Sequence, residues 1–166
     1  MIYIYADGAS KGNPGPGGFG IAVMENINIK YMFNKQYENI TNNQGELKAL
    51  LLALGLATSI FKNEKVTILS DSTYCVNMFN DWIHNWARNG WKNSKNKTVE
   101  NYELVLQLYE FAKIDFPKFS VEKVMGHCGI LGNEIADALA SNNQAKLEKI
   151  FLENKDNFIG CKKFDF

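Results

Sequence analysis

The sequence has few cysteines, no long apolar run and no net charge, and each scarcity excludes something. The three cysteines, Cys75, Cys128 and Cys161, are odd in number, widely separated and form no CxxC pair. They read as free thiols in a reducing compartment, packed in the core or present by chance. Eighteen basic and eighteen acidic side chains cancel. Bulk charge therefore announces neither a nucleic-acid nor a membrane partner, and any polyanion binding must come from local clustering. The longest apolar candidate, Leu47 to Ile60, is interrupted by Lys48, Gly55, Thr58 and Ser59 and is too short to span a bilayer. The N-terminus shows a strand pattern without a basic leader or a cleavage site. No internal repeat, low-complexity linker or coiled-coil heptad is visible. What remains is one globular domain of 166 residues with a sizeable core, expected in the cytosol and as a monomer.

What is present has a clear order. Ile2, Ile4 and Ala6 alternate with Tyr3, Tyr5 and Asp7, a strand apolar on both faces and so central in its sheet. Asp7 stands where this strand should end. Gly12-Asn13-Pro14-Gly15-Pro16-Gly17-Gly18 reads as a turn. Phe19 to Met24 and Ile29 to Tyr37 make two further strands of an antiparallel meander. Thr41-Asn42-Asn43 offers caps for a helix carrying Leu47, Leu50, Leu51, Leu54 and Ala57 on one face. Val66 to Ser70 is a strand after a helix, the start of a parallel crossover. Short helical pieces follow at Tyr74 to Phe79 and Trp82 to Arg88, then a helix at Val99 to Lys113. Phe119 to Met125 is a fifth strand, and Ile130 to about Lys149 is helical. Asp156 to Phe166 has no clear period and is expected to be loosely held. The order βββ-α-β-(αα)-α-β-α implies an α/β fold with a mixed five-stranded sheet flanked by helices.

Taken singly, the acidic positions have plain explanations. Asp7 reads as a turn residue, and Glu46 complements a helix dipole or completes a cap. Asp71, with Ser72, fits a helix cap as well as a site. Asp137, three residues after Glu134, reads as a solvated helix charge. His127, between Gly126 and Cys128, sits in a turn where it is structural, exposed or able to move. Taken together they say more. Asp7 and Asp71 each end a strand, and if those strands are adjacent the carboxylates face each other at one sheet edge, where open α/β sheets place ligands. Crowded carboxylates need a compensating cation. Oxygen ligands without a Cys or multi-His set suit magnesium or manganese rather than zinc.

The strings that carry this chemistry also carry a resemblance. Asp7-Gly-Ala-Ser-Lys-Gly-Asn-Pro-Gly-Pro-Gly-Gly-Phe-Gly, Thr41-Asn-Asn-Gln-Gly-Glu-Leu, Ser70-Asp-Ser-Thr-Tyr, Trp82-Ile-His-Asn-Trp, Gly90-Trp-Lys and Gly126-His-Cys-Gly-Ile-Leu-Gly-Asn-Glu-Ile-Ala-Asp resemble the motifs of type 1 ribonuclease H, in that family's order and with similar spacing. The resemblance covers residues 1 to about 145, leaving 146–166 as a C-terminal extension. It implies the ribonuclease H-like fold and hydrolysis of the RNA strand of RNA–DNA hybrids, leaving 5′-phosphate and 3′-hydroxyl ends. Asp7, Glu46, Asp71 and Asp137 would hold two Mg²⁺ ions, with Mn²⁺ a possible substitute. Asp7 and Asp71 would be central, Glu46 would also touch a ribose 2′-hydroxyl, and Asp137 would be the more mobile ligand. His127 would assist proton transfer or product release.

The resemblance also implies substrate contacts. Asn13, Asn42, Asn43 and Thr73 match groove-contacting positions. Thr73 stands where a Gln is frequent, so one contact would be lost or water-mediated. Thr41 and Asn101 match positions that hold a DNA-strand phosphate. Tyr74, Trp86 and Ser94 match the channel for the DNA strand, whereas Trp82 is expected in the core. Trp82 to Val99 carries Arg88, Lys92, Lys95 and Lys97 with no acid. This resembles the family's basic handle, thinned by Ala87, Asn89 and Asn93, and argues against the retroviral subgroup that lacks it. No separate hybrid-binding domain is expected before the first strand, no membrane contact is implied, and no obligatory protein partner is evident. The other readings are a silent hybrid-binding module, which should lack one of the four carboxylates, and a nuclease of this fold with another nucleic acid as substrate.

Overall fold

A computed structural model describes residues 1–166. The chain runs β1 (Ile2–Ser10), β2 (Gly15–Glu25), β3 (Asn28–Ile40), α1 (Asn42–Thr58), β4 (Val66–Ser70), α2 (Thr73–Asn77), α3 (Ile83–Arg88), α4 (Tyr102–Ala112), β5 (Phe119–Lys123), α5 (Leu131–Ala140), α6 (Gln144–Glu153) and β6 (Lys162–Asp165). A π-helical turn, Met78–Trp82, joins α2 to α3, and a 3₁₀ turn, Lys155–Phe158, precedes β6. The strands form one mixed sheet in the order β5-β4-β1-β2-β3-β6. β1 lies at its centre, antiparallel to β2 and parallel to β4, as its two apolar faces require. Ile2, Ile4 and Ala6 point into the larger core, with α1, Val105 and Leu108 of α4, and Ile83. Tyr3 and Tyr5 point to the opposite face, against Ile135 and Leu139 of α5 and a smaller core that includes Phe158.

The structure departs from the sequence reading in several places. The sheet has six strands rather than five. β6 adds in parallel to β3 at the edge, all its residues exposed, so no burial alternation marks it in the sequence. Ladder hydrogen bonds hold it, and Phe33 stacks on Phe164 and Phe166 with ring centroids 5.2 and 6.1 Å away. The glycine-rich turn is also shorter than expected. Pairing resumes within it, with Gly17 and Gly18 opposite Ser10 and Ala9. The helix expected from Val99 begins only at Tyr102, after a left-handed Asn101. The helix expected from Ile130 to Lys149 is two helices, because Asn142 is left-handed and Asn143 caps a new start. Lastly, Trp82 is 36% exposed rather than in the core.

Removing residues 161–166 is expected to lower Tm by roughly 4–8 °C, the equivalent of about 2 kcal/mol for a strand fixed by stacked rings and edge pairing. Thermal unfolding checks this, and an unchanged Tm would show that β6 adds nothing to stability.

Candidate active site

The parallel ladder between β1 and β4 ends at Ala6 and Ser70. Beyond that point β1 continues, paired only with β2, and Asp7 lies opposite Gly20. Asp7 is therefore inside its strand, not at its end, but it is the first residue past the parallel register. Asp71 follows β4 directly. The two carboxylates thus open onto the crevice where neighbouring strands part.

Glu46 arrives from α1, whose start is fixed by a capping box. Thr41 Oγ1 accepts from the Gln44 N–H at 3.1 Å, and Gln44 Oε1 accepts from the Thr41 N–H at 3.0 Å. The helix approaches β1 at two glycines. A Cβ on Gly8 would lie 2.2 Å from the Glu46 backbone nitrogen, and one on Gly45 would lie 3.3 Å from the Gly8 Cα. Only bare backbone allows this approach, and it sets Glu46 beside Asp7.

Ligand atoms of Asp7, Glu46 and Asp71 lie within 4.8 Å of one another. Asp7 is 4% exposed and accepts one hydrogen bond, from the Gly8 N–H at 2.9 Å. Its pKa is pushed up to about 7, first by burial and then by the charge of Asp71. Glu46 is raised well above the usual carboxylate range, again by burial first and then by Asp7. Its Oε2 is buried with no hydrogen-bond partner. An unpartnered buried carboxylate oxygen beside two other carboxylates is costly as it stands. A hard divalent cation relieves that cost, so the donor set fits Mg²⁺ or Mn²⁺.

Asp137, on α5, is outside this triple but near enough for its charge to raise Asp7 further. It is held elsewhere: Asp137 Oδ2 and Glu134 Oε2 each lie 2.6 Å from Lys146 Nζ. The Lys146 hydrogen bond holds Glu134 below its usual value. Burial would lower the Lys146 pKa, but the two carboxylates outweigh it and raise it. Lys146 is a residue the sequence reading missed, and the signal that could have found it is the Asn142–Asn143 pair, which turns the chain and caps α6. His127 is exposed, with φ +54°, on the loop after β5. Gly126 beside it lies against Asp71, since a Cβ there would be 2.7 Å from Asp71 Oδ2. Lys123 Nζ also donates to the Asp71 backbone carbonyl.

The remaining positions surround this crevice. Asn13 Oδ1 accepts from the Asn42 N–H, and Asn42 Oδ1 accepts from the Ser10 N–H, each at 3.0 Å. These bonds tie the β1–β2 turn to the start of α1. Asn43 is half-buried in its first turn, and Thr73 is exposed at the start of α2. Tyr74, Trp82 and Trp86 form a ring series with centroids 5.8 and 6.1 Å apart, and the left-handed Asn101 stands at the start of α4. Arg88 is exposed at the end of α3, and Lys92, Ser94, Lys95 and Lys97 are exposed on the loop that follows. Asn89 and Asn93 knit that loop internally: Asn89 Oδ1 accepts from Lys92, and Asn93 Oδ1 accepts from Lys95 and Lys97.

The family model for RNase H matches residues 1–145. The chain belongs to the ribonuclease H family. A ribonuclease H of Caldicellulosiruptor saccharolyticus is 41% identical over 140 residues, 84% of this chain and 92% of that one. A ribonuclease HI of Neisseria meningitidis serogroup B is 38% identical over 145 residues, 87% of this chain and 96% of that one. Among solved structures, LC11-RNase H1, isolated from compost and solved in complex with an RNA/DNA hybrid, superposes with a TM-score of 0.61. It is 20% identical, and the match covers 84% of this chain and 96% of that one. The fold is the ribonuclease H fold expected from the sequence, and this ribonuclease H is a hydrolase acting on nucleic acid. No helix is long and apolar enough to cross a membrane.

Proposed function

We propose that this ribonuclease H cuts the RNA strand of RNA–DNA hybrids at phosphodiester bonds, leaving 5′-phosphate and 3′-hydroxyl ends. Residues 1–145 are the catalytic unit, acting as a monomer in a reducing cytosol, and 146–166 are an extension of it. The observation that carries the reading is the Asp7–Glu46–Asp71 cluster, Asp7 buried and the other two half-buried, with its unpartnered Glu46 oxygen. With Asp137, these residues would hold two Mg²⁺ ions, and Mn²⁺ would substitute. Bound there, such ions lower the pKa of a water and neutralise charge on the departing oxygen.

The chain's own groups do the rest. Asp7 and Asp71 come from adjacent strands and fix the spacing of the site. Glu46 reaches in from α1 to complete one side and to face a ribose 2′-hydroxyl. His127, on its exposed loop beside Asp71, passes a proton to the leaving 3′-oxygen or helps product depart. Asn13, Asn42, Asn43 and Thr73 face a groove whose 2′-hydroxyls distinguish RNA from DNA, and amides suit this because they donate and accept. Thr41 and Asn101 hold a DNA phosphate, and Tyr74, Trp86 and Ser94 line the path of the DNA strand. The exposure of Trp82 and its contact with Trp86 support extending that path by one ring. The hybrid bound by LC11-RNase H1 supports the substrate class.

The test is cleavage of a strand-labelled RNA–DNA hybrid in Mg²⁺, beside single-stranded RNA, double-stranded RNA and double-stranded DNA, with a chelator control. RNA cut only within the hybrid, and silence in chelator, is the expected result. Hybrid binding without cutting, in Mg²⁺ and again in Mn²⁺, overturns it. The loop lysines give a second expectation. Each phosphate contact contributes about 1 to the slope of log Kd against log salt. Lys95→Ala with Lys97→Ala is expected to flatten that slope by about 2 and to leave kcat nearly unchanged. An unchanged slope, read by hybrid binding at several salt concentrations, would place these lysines off the substrate.

A further inference from the structure

Asp7, Glu46 and Asp71 have no salt bridge, and Asp137 has one. Its partner, Lys146, is the first residue beyond the stretch that matches the family. Several features place that ammonium. α5 ends at Ala140, and the left-handed Asn142 turns the chain back on itself. Asn143 Oδ1 accepts from the Lys146 N–H at 3.0 Å, fixing Lys146 in the first turn of α6. Its Nζ then lies between two carboxylates of one α5 face, 2.6 Å from Glu134 Oε2 and 2.6 Å from Asp137 Oδ2. All three side chains are largely shielded, at 27%, 19% and 22% exposure for Lys146, Glu134 and Asp137. Glu134 is anchored independently, because its Oε1 accepts from the Gly129 N–H at 3.4 Å on the His127 loop.

From this geometry we infer that Lys146 is a built-in competitor of the divalent ion at Asp137: its ammonium occupies Asp137 in the metal-free protein and retreats onto Glu134 when an ion takes the carboxylate. This rests on the reading of Asp137 as a metal ligand. Lys146 touches neither substrate nor reacting atoms and is a positioning residue. Its effect is electrostatic. One positive charge beside Asp137 makes the site harder for a second cation to fill, and Glu134 sets how readily that charge moves aside. The C-terminal extension thereby sets the ion concentration at which the site fills.

The test is calorimetric titration of the free protein with MgCl₂, beside the Mg²⁺ midpoint of hybrid cleavage. Lys146→Met is expected to lower both the Mg²⁺ Kd and the midpoint by roughly 3- to 10-fold, the scale of a partly exposed charge interaction. Glu134→Gln is expected to raise both by a similar factor, because the ammonium then has no second seat. Lys146→Arg should stay near wild type. Thermal unfolding gives an independent readout: Lys146→Met should lose more stability in chelator than in saturating Mg²⁺. A merely structural lysine would lose it equally in both and would not produce opposite shifts in the two variants. An unchanged or raised midpoint in Lys146→Met, or shifts of the same sign in both variants, overturns the inference. Failure of the underlying reading looks different: Asp137→Asn would then bind Mg²⁺ and cut like wild type. If that reading holds, Lys146→Met added to Asp137→Asn should shift nothing further.

Discussion

Asp71→Asn is expected to lower kcat/KM for hybrid cleavage by at least about 10³-fold, the equivalent of roughly 4 kcal/mol of transition-state stabilisation. The substitution keeps size and hydrogen bonding and removes one charge. Asp71 stands on the loop side of a triple whose ligand atoms lie within 4.8 Å, and Gly126 packs against it. An amide there weakens the affinity of hard cations, which prefer charged oxygen ligands. The fold should be indifferent, since the neutral variant relieves repulsion within the cluster. The check is single-turnover cleavage with circular dichroism alongside. A loss of less than tenfold with the fold intact would show that Asp71 is dispensable for chemistry.

The second large effect is on stability, and it runs against the usual direction of mutation. In chelator at pH 8, Asp7→Asn is expected to be more stable than wild type by on the order of 2–4 kcal/mol. The sign follows from the folded-state pKa of Asp7, raised to about 7 by burial and by Asp71. The folded protein then keeps its proton to higher pH than the unfolded chain does. Stability therefore falls as pH rises from the unfolded value near 4 through about 7, and the full penalty is present above that. Below pH 4 the two proteins should converge. Saturating Mg²⁺ should stabilise wild type more than Asp7→Asn, narrowing the gap. Urea unfolding at pH 4, 6 and 8 measures this. Equal or lower stability of Asp7→Asn at pH 8 in chelator would remove the premise that buried charge is uncompensated here.

The sequence exposed most of this arrangement and hid a definable part. Five strands and the first helix were legible because each buries a periodic face: Ile2, Ile4 and Ala6 in β1, and Leu47, Leu50 and Leu54 in α1. The site was legible because its side chains sit at the ends of short, distinctive strings. β6 was not, since a fully exposed edge strand needs no alternation. The split between α5 and α6 was passed over, although Asn142 and Asn143 are of the residue type that most readily turns left-handed and caps a helix. Lys146 went unseen for that reason. Asn89 and Asn93 read as missing cations, and the structure gives them a role of their own, as the internal bonds of the lysine loop.

The order of the strands has a consequence for how the protein is made. The ribosome delivers β1, β2, β3, α1 and β4 first, and with them Asp7, Glu46 and Asp71. β5, which flanks β4, and α5 and α6, which bring Asp137 and Lys146, follow them along the chain. A chain still attached and short of residue 131 therefore holds a repulsive triple of acids without Asp137 and without the α5 layer of its sheet. On the proposed reading such a chain is expected to be inactive beside a messenger RNA until α5 brings Asp137 to the other three carboxylates.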